Sequence, residues 1–355
     1  MRKRIILAIE TSCDETAAAV IENGTKILAS AVASSQELHK KTGGIIPETA
    51  AREQLRCMIP ILRETLIQFC PENKNNLPKS LEKIDALAVT YGPGLIGSLL
   101  IGVETAKSLS YVTKKPLIAI NHLHGHILAN WLEKKPHQFP SLPGVALIAS
   151  GGHTELVLTQ KKDNQLVFQW LGGTRDDAAG ECFDKCARVL DMSYPGGPAI
   201  AKASEKVKDK EQFSLPRPMI HQKNLDFSFS GLKTAVVYKV RQLKKNKQWQ
   251  QKTKNNLAWE IQEAISDVLV EKTIWAARKY QAKSILLGGG VTANQVLREK
   301  LKEKRQQFDL FIPPIKLCVD NAAMIGAAAY FIGQTTPWQK IKAEPGLKIL
   351  HTAEV

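Results

Sequence analysis

Two stretches of this chain repeat one design, and that repeat limits the folds open to it. Residues 5–30 (IILAIETSCDETAAAVIENGTKILAS) and 144–168 (GVALIASGGHTELVLTQKKDNQLVF) each carry a β-rich apolar run, a tight polar turn, a second β-rich run and a polar hairpin tip. The turns are Glu10-Thr11-Ser12-Cys13-Asp14 and Ser150-Gly151-Gly152-His153-Thr154. Two such blocks imply a duplicated α/β lobe whose turns face one another across a cleft.

The rest of the pattern alternates. Pro47 to Cys70 has helical periodicity, with Ala50, Leu55, Met58, Ile59, Leu62 and Leu66 on one side. Residues 84–90 form a strand leading into Tyr91-Gly92-Pro93-Gly94, followed by a helix over 95–110, a strand at 116–120 and a helix over 122–133. Further helices are expected over 177–190, 230–243, 256–279, 293–305 and 320–333, with strands at 283–288 and 309–312. Pro195-Gly196-Gly197-Pro198 breaks the chain. Strands alternating with helices place the chain in the α/β class, with a largely parallel sheet covered by helices. Residues 71–82 and 241–256 are polar and rich in Lys, Asn and Gln, and are expected to be exposed connections.

Composition narrows the function classes. Apolar residues at 44% and charged residues at 23% exclude wholesale disorder. No apolar stretch reaches about 18 residues, so no membrane span is expected. Met-Arg-Lys-Arg before IILAIE has the charge of an export signal. The apolar run is short and interrupted by Glu10, Asp14 and Glu15, and reads as a first strand instead. Six scattered cysteines (13, 57, 70, 182, 186, 318) suit reduced thiols and a cytoplasmic setting. Of these, Cys182 and Cys186 share a helix face as packing residues. The formal charge is +15, from 49 Lys and Arg against 34 Asp and Glu. Surplus lysine commonly serves solubility, yet such a balance also suits a polyanion such as nucleic acid. The cations cluster at Lys202, Lys206, Lys208 and Lys210, then at Lys233, Lys239, Arg241, Lys244, Lys245, Lys247, Lys252 and Lys254.

His122-Leu123-His124-Gly125-His126 follows the strand at 116–120. On a helix, residues four apart share a side, so His122 and His126 can ligate one ion. A zinc peptidase of the HExxH type needs Glu where this chain has Leu123. A third ligand must come from elsewhere, and Asp320, opening a helix in Val319-Asp320-Asn321-Ala322, is the best candidate. Two imidazoles and one carboxylate suit Fe(II), Zn or Mn. The competing reading makes Asp320 a helix cap and the histidines lining.

Five glycine-bearing turns are expected after strands, at 92–94, 151–152, 172–173, 196–197 and 288–290. Glycine lets backbone N–H groups approach phosphate closely. Neither a P-loop nor a GxGxxG motif in βαβ context occurs. The turns point to a nucleotide held between two lobes, with Asp14, Asp184 and Asn294 as polar groups facing it. Ser12, Ser150 and Cys13 lack the context of a nucleophile, and no general base is identified.

ETSCDET (10–16), GGIIPETAAR (43–52), YGPGLIGSLLIG (91–102), NHLHGH (121–126), SGGHT (150–154), DDAAGECFDK (176–185), YPGGP (194–198), FSFSGLKTAV (227–236), GGGVTAN (288–294) and DNAAMIG (320–326) resemble, in order and number, the signature blocks of the TsaD family. This is the bacterial branch of the universal tRNA threonylcarbamoyladenosine enzymes, formerly labelled a glycoprotease. The resemblance implies an ASKHA (actin/Hsp70/sugar-kinase-like) duplicated two-lobed fold. Its lobes would span 1–121 and 122–335, with a tail at 336–355. It also implies transfer of a threonylcarbamoyl group from threonylcarbamoyl-AMP to N6 of the adenosine beside the anticodon, in tRNAs reading codons that begin with A. Carried over by position, His122, His126 and Asp320 match the metal ligands, with Fe(II) the first expectation. Ile148, Ala149, Ser150, Gly151, Gly152, Asp184, Gly197 and Asn294 match the adenine-nucleotide pocket, and Asp14 and Glu15 the acidic pair facing it. The tRNA anticodon arm, TsaB and TsaE are the implied partners, and TsaC the supplier of the intermediate. Two positions depart from the family: His124 stands where Glu is usual and Gln54 where His is common. Among rival classes, a metallopeptidase would use the same histidines but lacks the base at Leu123. An ATP-binding, chaperone-like switch of the same fold would need no third ligand.

Overall fold

The computed structural model describes residues 3–207, 213–305 and 307–349, and places the first strands of the two repeated blocks at the centres of two sheets, one in each of two compact units. The first unit comprises Met1–Pro140, Lys162–Leu166 and Lys316–Val355, and the second Ser141–Lys161 and Val167–Ile315. The boundary expected at 121/122 therefore falls inside the first unit. The expected second lobe also loses its last helix, because the helix following Asp320 packs on the first two strands and on the helix carrying His122, which itself lies on later strands of the same sheet.

The elements of the chain run β1 (Ile5–Glu10), β2 (Glu15–Glu22), β3 (Lys26–Ser34), α1 (Gln36–Thr42), α2 (Pro47–Phe69), α3 (Leu77–Glu82), β4 (Ala86–Gly92), α4 (Ile96–Thr113), β5 (Leu117–Asn121) and α5 (His122–Leu128). They continue with β6 (Gly144–Ala149), β7 (Thr154–Lys162), β8 (Gln165–Gly173), α6 (Ala179–Val189), α7 (Gly196–Ser204), α8 (Ser230–Lys245), α9 (Gln251–Lys279), β9 (Ser284–Gly288), α10 (Gln295–Lys304) and β10 (Asp309–Phe311). The last two helices are α11 (Ile315–Cys318) and α12 (Ala322–Phe331).

Both sheets have the same order outward from the first strand of each block, β3-β2-β1-β4-β5 and β8-β7-β6-β9-β10. In the first, β1 pairs antiparallel with β2, Glu10 opposite Ala17, and parallel with β4. In the second, β6 pairs antiparallel with β7, Ala149 opposite Thr154, and parallel with β9. Each sheet is thus mixed rather than largely parallel. The tight turns of the repeated blocks force antiparallel neighbours, and only connections with room for a helix reach a parallel one.

Strand β1 is apolar on both faces because both are covered. Leu7 and Ile9 join a core with Val20, Met58, Leu62, Val89 and Val103, so α2 and α4 lie on that face. Ala8 and Ile21 instead meet α12, where a Cβ on Gly326 would lie 2.5 Å from Ile21. In the second unit, Val145, Leu147, Leu156 and Ile285 share a core with residues of α6, α8 and α9.

Several expectations change. On α2, Ala50, Met58, Leu62 and Leu66 are buried, whereas Leu55 and Ile59 are 65% and 67% exposed. The stretch 71–82 holds a single helical turn at Pro71–Asn73 and then α3. Most of 241–256 belongs to α8 and α9, since Lys and Gln favour helix and their polarity marks solvent-facing helix ends. Helix α5 stops at Leu128, short of the expected 133. Gly196-Gly197 opens α7 instead of following a strand. At Gly289, φ is +90°, and a Cβ would lie 2.4 Å from the carbonyl oxygen of Ala149, so only glycine fits. Lys208 and Lys210 lie outside the described residues. Among the described residues no helix is long and apolar enough to cross a membrane.

The close seating of α12 gives a direct test. Gly326→Val should destabilise the protein by about 1–3 kcal/mol through overpacking against Ile21 and Ala8, read by denaturant unfolding. An unchanged midpoint would contradict this packing.

Candidate metal centre

Strand β5 ends at Asn121, whose side chain accepts a hydrogen bond from the Leu123 N–H at 2.8 Å and starts α5 at once. His122 and His126 therefore sit one turn apart on one side, their ring centroids 4.6 Å apart. Ahead of α12 the cap is Asn321, which accepts from the Met324 N–H at 3.0 Å. The reading of Asp320 as the cap is thereby overturned, and its carboxylate faces the imidazoles. Asp320 Oδ1 lies 3.2 Å from His126 Nε2 and 3.5 Å from His122 Nε2.

These three residues fit a divalent cation. Metal–ligand bonds of about 2.1 Å at tetrahedral angles place ligand atoms about 3.4 Å apart. Two edges of the triangle match that spacing, and all three ligand atoms lie within 4.8 Å of one another. Both histidines are buried. Nδ1 of His126 has no hydrogen-bond partner among the described residues, and its Nε2 makes no well-formed hydrogen bond although it faces Asp320. Buried imidazole nitrogens are rarely left so, and a cation in front of Nε2 would account for one of them. Three protein ligands leave coordination positions open, the pattern of a reactive site rather than a structural one. Leu123 is 2% exposed and puts no carboxylate at the place of a peptidase base.

Behind His122 stands Glu10, a residue the sequence pattern marked only as an interruption of an apolar strand. Its side chain is wholly buried. Its carboxylate accepts the Ser12 N–H at 2.5 Å and the Thr90 hydroxyl, and lies 3.1 Å from His122 Nδ1. Ser12 Oγ is also 3.1 Å from that nitrogen. A carboxylate on Nδ1 holds the proton there and turns Nε2 toward the ligand position. Burial opposes charge on His122, but the Glu10 and Asp320 carboxylates outweigh it and push its pKa up to about 9. Burial works against charge on Glu10 as well, and His122 nonetheless draws its carboxyl below the usual range. Burial holds His126 below the ordinary histidine value and takes His124 down to about 4. His124 is not among the three convergent ligands.

The acidic pair of the first turn is partly sequestered. Burial, then the neighbouring Asp14, pushes Glu15 well above the usual carboxylate range, and the Ser34 hydroxyl donates to it at 3.3 Å. The carbonyl of Asp14 accepts from the Ser35 N–H and hydroxyl. Gln54 is buried and donates to the carbonyls of Cys13 and Glu15 at 3.0 and 2.9 Å, so it buttresses the turn.

The remaining candidates belong to the second unit. Ile148 and Ala149 end β6. Ser150 Oγ accepts the His153 N–H at 3.1 Å, and its carbonyl accepts from Gly180 at the start of α6. A Cβ added at Gly151, Gly152 or Gly197 would meet nothing within 4 Å, so these backbones border open space. Asp184 accepts the Gly196 N–H at 2.6 Å and ties α6 to α7. Asn294 caps α10 and donates to Gln262 at 2.7 Å, so both ends of its amide are engaged. Cys182 and Cys186 are buried with their sulfurs 3.9 Å apart, as packing residues. Of the basic run, Lys244 and Lys254 lie 3.7 and 3.5 Å from Asp191 and over the ring of Trp249.

Comparison with known proteins gives a consistent family. The model of TsaD, described as tRNA N6-adenosine threonylcarbamoyltransferase, matches residues 26–327. A protein of that name from Thermosipho melanesiensis is 45% identical over 349 residues, covering 97% of this chain and 100% of its own. One from Syntrophomonas wolfei is 45% identical, covering 93% of each chain. One from Listeria welshimeri is 44% identical, covering 98% of this chain and 97% of its own. Among solved structures, HypF of T. kodakarensis aligns with a TM-score of 0.55 at 14% identity, over 92% of this chain and 47% of that one. Component A of the Acidaminococcus fermentans (R)-2-hydroxyglutaryl-CoA dehydratase aligns with a TM-score of 0.51 at 12% identity, over 93% and 98%. These two likenesses show the fold, a duplicated two-lobed ASKHA architecture.

Two measurements address the centre. Glu10→Gln should weaken divalent-metal affinity about 10–100-fold without unfolding the protein, by metal titration of the stripped chain. The second concerns pH. His122 titrates near 6.5 when unfolded and near 9 when folded, so its contribution to stability is complete below 6.5 and lost as pH rises through 9. The melting temperature of chelator-treated protein should fall across that window, and a flat profile would contradict the Glu10–His122–Asp320 arrangement.

Proposed function

The chain belongs to the TsaD family of tRNA N6-adenosine threonylcarbamoyltransferases, and from that premise we propose that it transfers threonylcarbamoyl from threonylcarbamoyl-AMP to N6 of the adenosine beside the anticodon. The tRNAs are those reading codons that begin with A. The observation that carries the reading is the convergence of His122, His126 and Asp320 beside the buried Glu10.

Threonylcarbamoyl-AMP is a mixed anhydride and already activated. One C–O bond to phosphate breaks, one C–N bond to N6 forms, N6 gives up a proton and AMP departs. The barrier is therefore mainly one of placement and of charge developing on the carbamoyl oxygen and the leaving phosphate. His122, His126 and Asp320 would hold a divalent cation, Fe(II) first and Zn or Mn as competing occupants. That ion, when bound, supplies Lewis acidity to the carbamoyl oxygen and a template for the group. Glu10 keeps the His122 ring in its ligating orientation. In the second unit, Ile148, Ala149 and Ser150 lead into Gly151 and Gly152, which with Gly197 offer backbone that can approach an adenylate without side-chain hindrance, and Asp184 fixes the start of α7. Asp14 and Glu15 give the first unit its own acidic pair for the substrate, Glu15 as a carboxyl biased toward its protonated form.

TsaB and TsaE are the proposed protein partners, with TsaC supplying the intermediate. A protein partner is supported by exposed apolar side chains on two packed helices, Leu55 and Ile59 on α2 and Ile96 and Leu100 on α4. The basic cluster at Lys244, Lys245 and Lys247 suits the phosphates of the anticodon arm.

The deciding experiment is reconstitution with TsaB, TsaC, TsaE and transcribed tRNA, followed by mass spectrometry of the nucleosides. His126→Ala should lower threonylcarbamoyladenosine formation at least a hundredfold while tRNA affinity stays within twofold. Undiminished product from metal-stripped protein would reject the role of the centre. Reversing Lys244, Lys245 and Lys247 to Glu should weaken tRNA binding and flatten its salt slope.

A further inference from the structure

Away from the metal centre, the second unit has a half-open cavity of about 420 Å³ between the turn at 220–223 and α9. Its lining includes His221, Lys223, Lys272, Trp275 and Arg278. Lys272 is 1% exposed, and its ammonium donates to the Asn224 carbonyl at 2.7 Å, with the Asn224 side-chain oxygen at 3.4 Å. Both partners are neutral. Among the described residues no carboxylate lies within ion-pair distance of Lys272, Lys223 or Arg278.

This contrasts with the acidic positions of α9. Glu260 pairs with Arg217, Glu263 and Asp267 with Lys300, and Glu271, the one acid lining the cavity, with Lys304. Asp226, whose charge favours the Lys272 ammonium from beyond ion-pair distance, is itself paired with Arg175 at 2.7 Å. A buried ammonium without a counter-charge is costly, and an anion entering the cavity would supply one. An ammonium has three N–H donors, and Asn224 can engage two of them. Trp275 adds a half-buried aromatic wall, with Lys279 5.5 Å from its ring centre. A flat π surface beside a concentration of unpaired cations is the combination that single-stranded nucleic acid uses.

We propose that this cavity is a nucleotide subsite for RNA. Trp275 receives one unstacked base of the tRNA, and Lys272, Lys223 and Arg278 receive a flanking phosphate. The inference rests on tRNA being the substrate, but assigns an interaction outside the reaction centre, with no role in the transfer chemistry.

The test is fluorescence anisotropy of the full chain with a transcribed, labelled cognate tRNA over a range of salt. Trp275→Leu should weaken binding about tenfold or more, and Trp275→Phe should retain most of the affinity. Lys223→Glu with Arg278→Glu should lower the salt slope by about 0.7 for each phosphate no longer neutralised. Lys74→Glu with Lys79→Glu, an equal double reversal at exposed positions beside and on α3, should do neither. Trp275 packs on the core of the second unit, so the unfolding midpoint of every variant is measured and affinities are compared where each is fully folded, which separates weakened binding from a damaged fold. Wild-type affinity in Trp275→Leu overturns the subsite, whatever the charge variants do, and so does an unaltered slope in the double reversal. Failure of the functional reading is distinct: the parent chain would then make no threonylcarbamoyladenosine, whatever its affinity for tRNA.

Discussion

A carboxylate with no solvent exposure at the end of an apolar strand must be held by donors that the fold brings to it. In the first unit, Glu10 imposes that demand. Its partners come from three places: Ser12 from the turn, Thr90 from β4 and His122 from the first residue of α5. An isolated buried carboxylate costs several kcal/mol, so neither the turn nor α5 can drift without exposing the fold to that cost. The same interaction fixes the plane of the His122 ring and leaves its Nε2 toward Asp320. Stability and site geometry here have one source.

The two sheets share strand order, yet their central turns are built of different material. Between β1 and β2 the chain presents side chains: Thr11, Ser12, Cys13 and Asp14, braced by Gln54 from α2. Between β6 and β7 it presents backbone, through Ser150, Gly151 and Gly152 with open space around both glycines. A side-chain-rich turn suits ligation and hydrogen bonding to a compact group. A glycine turn suits close approach of phosphate or sugar to N–H groups. Duplication of one strand–turn–strand block thus yields two kinds of binding surface without altering the sheet.

Much of this was legible in the sequence, for identifiable reasons. The hairpin blocks were visible because their apolar runs are long and their turns polar. The His122–His126 pair was visible because helical spacing is a local property. Asp320 was reachable only as an acid opening a helix and by the resemblance, and its neighbour Asn321 is the cap, a distinction that two adjacent capping-competent residues hide. Glu10 was missed because a buried acid and an exposed one at a strand end look alike in a string of letters. The face of α2 was misjudged for the opposite reason: Leu55 and Ile59 obey the periodicity, but no described element of this chain covers them. The division into units is not readable locally, because α12, remote in sequence, returns to the first sheet, and such long-range packing leaves no local trace. The family resemblance, by contrast, rested on many short blocks in order, and covered the chain.

The position of Asp320 depends on how closely α12 can approach the strands. Its sequence, AAMIGAAAYF, is nearly all small on the side toward the sheet, and Gly326 lies where any Cβ would strike Ile21. That seating sets the height of the helix start, and Asn321 takes the capping duty there, so the carboxylate one residue earlier is left over for the imidazoles. Between two carboxylates, the extra proton on His122 occupies the electrostatic role that a cation would take, because both neutralise the same pair of acids. Proton and metal ion are therefore alternatives for one arrangement. A divalent cation held by His122, His126 and Asp320 would displace that proton from ligands the fold has already gathered, adding one net positive charge.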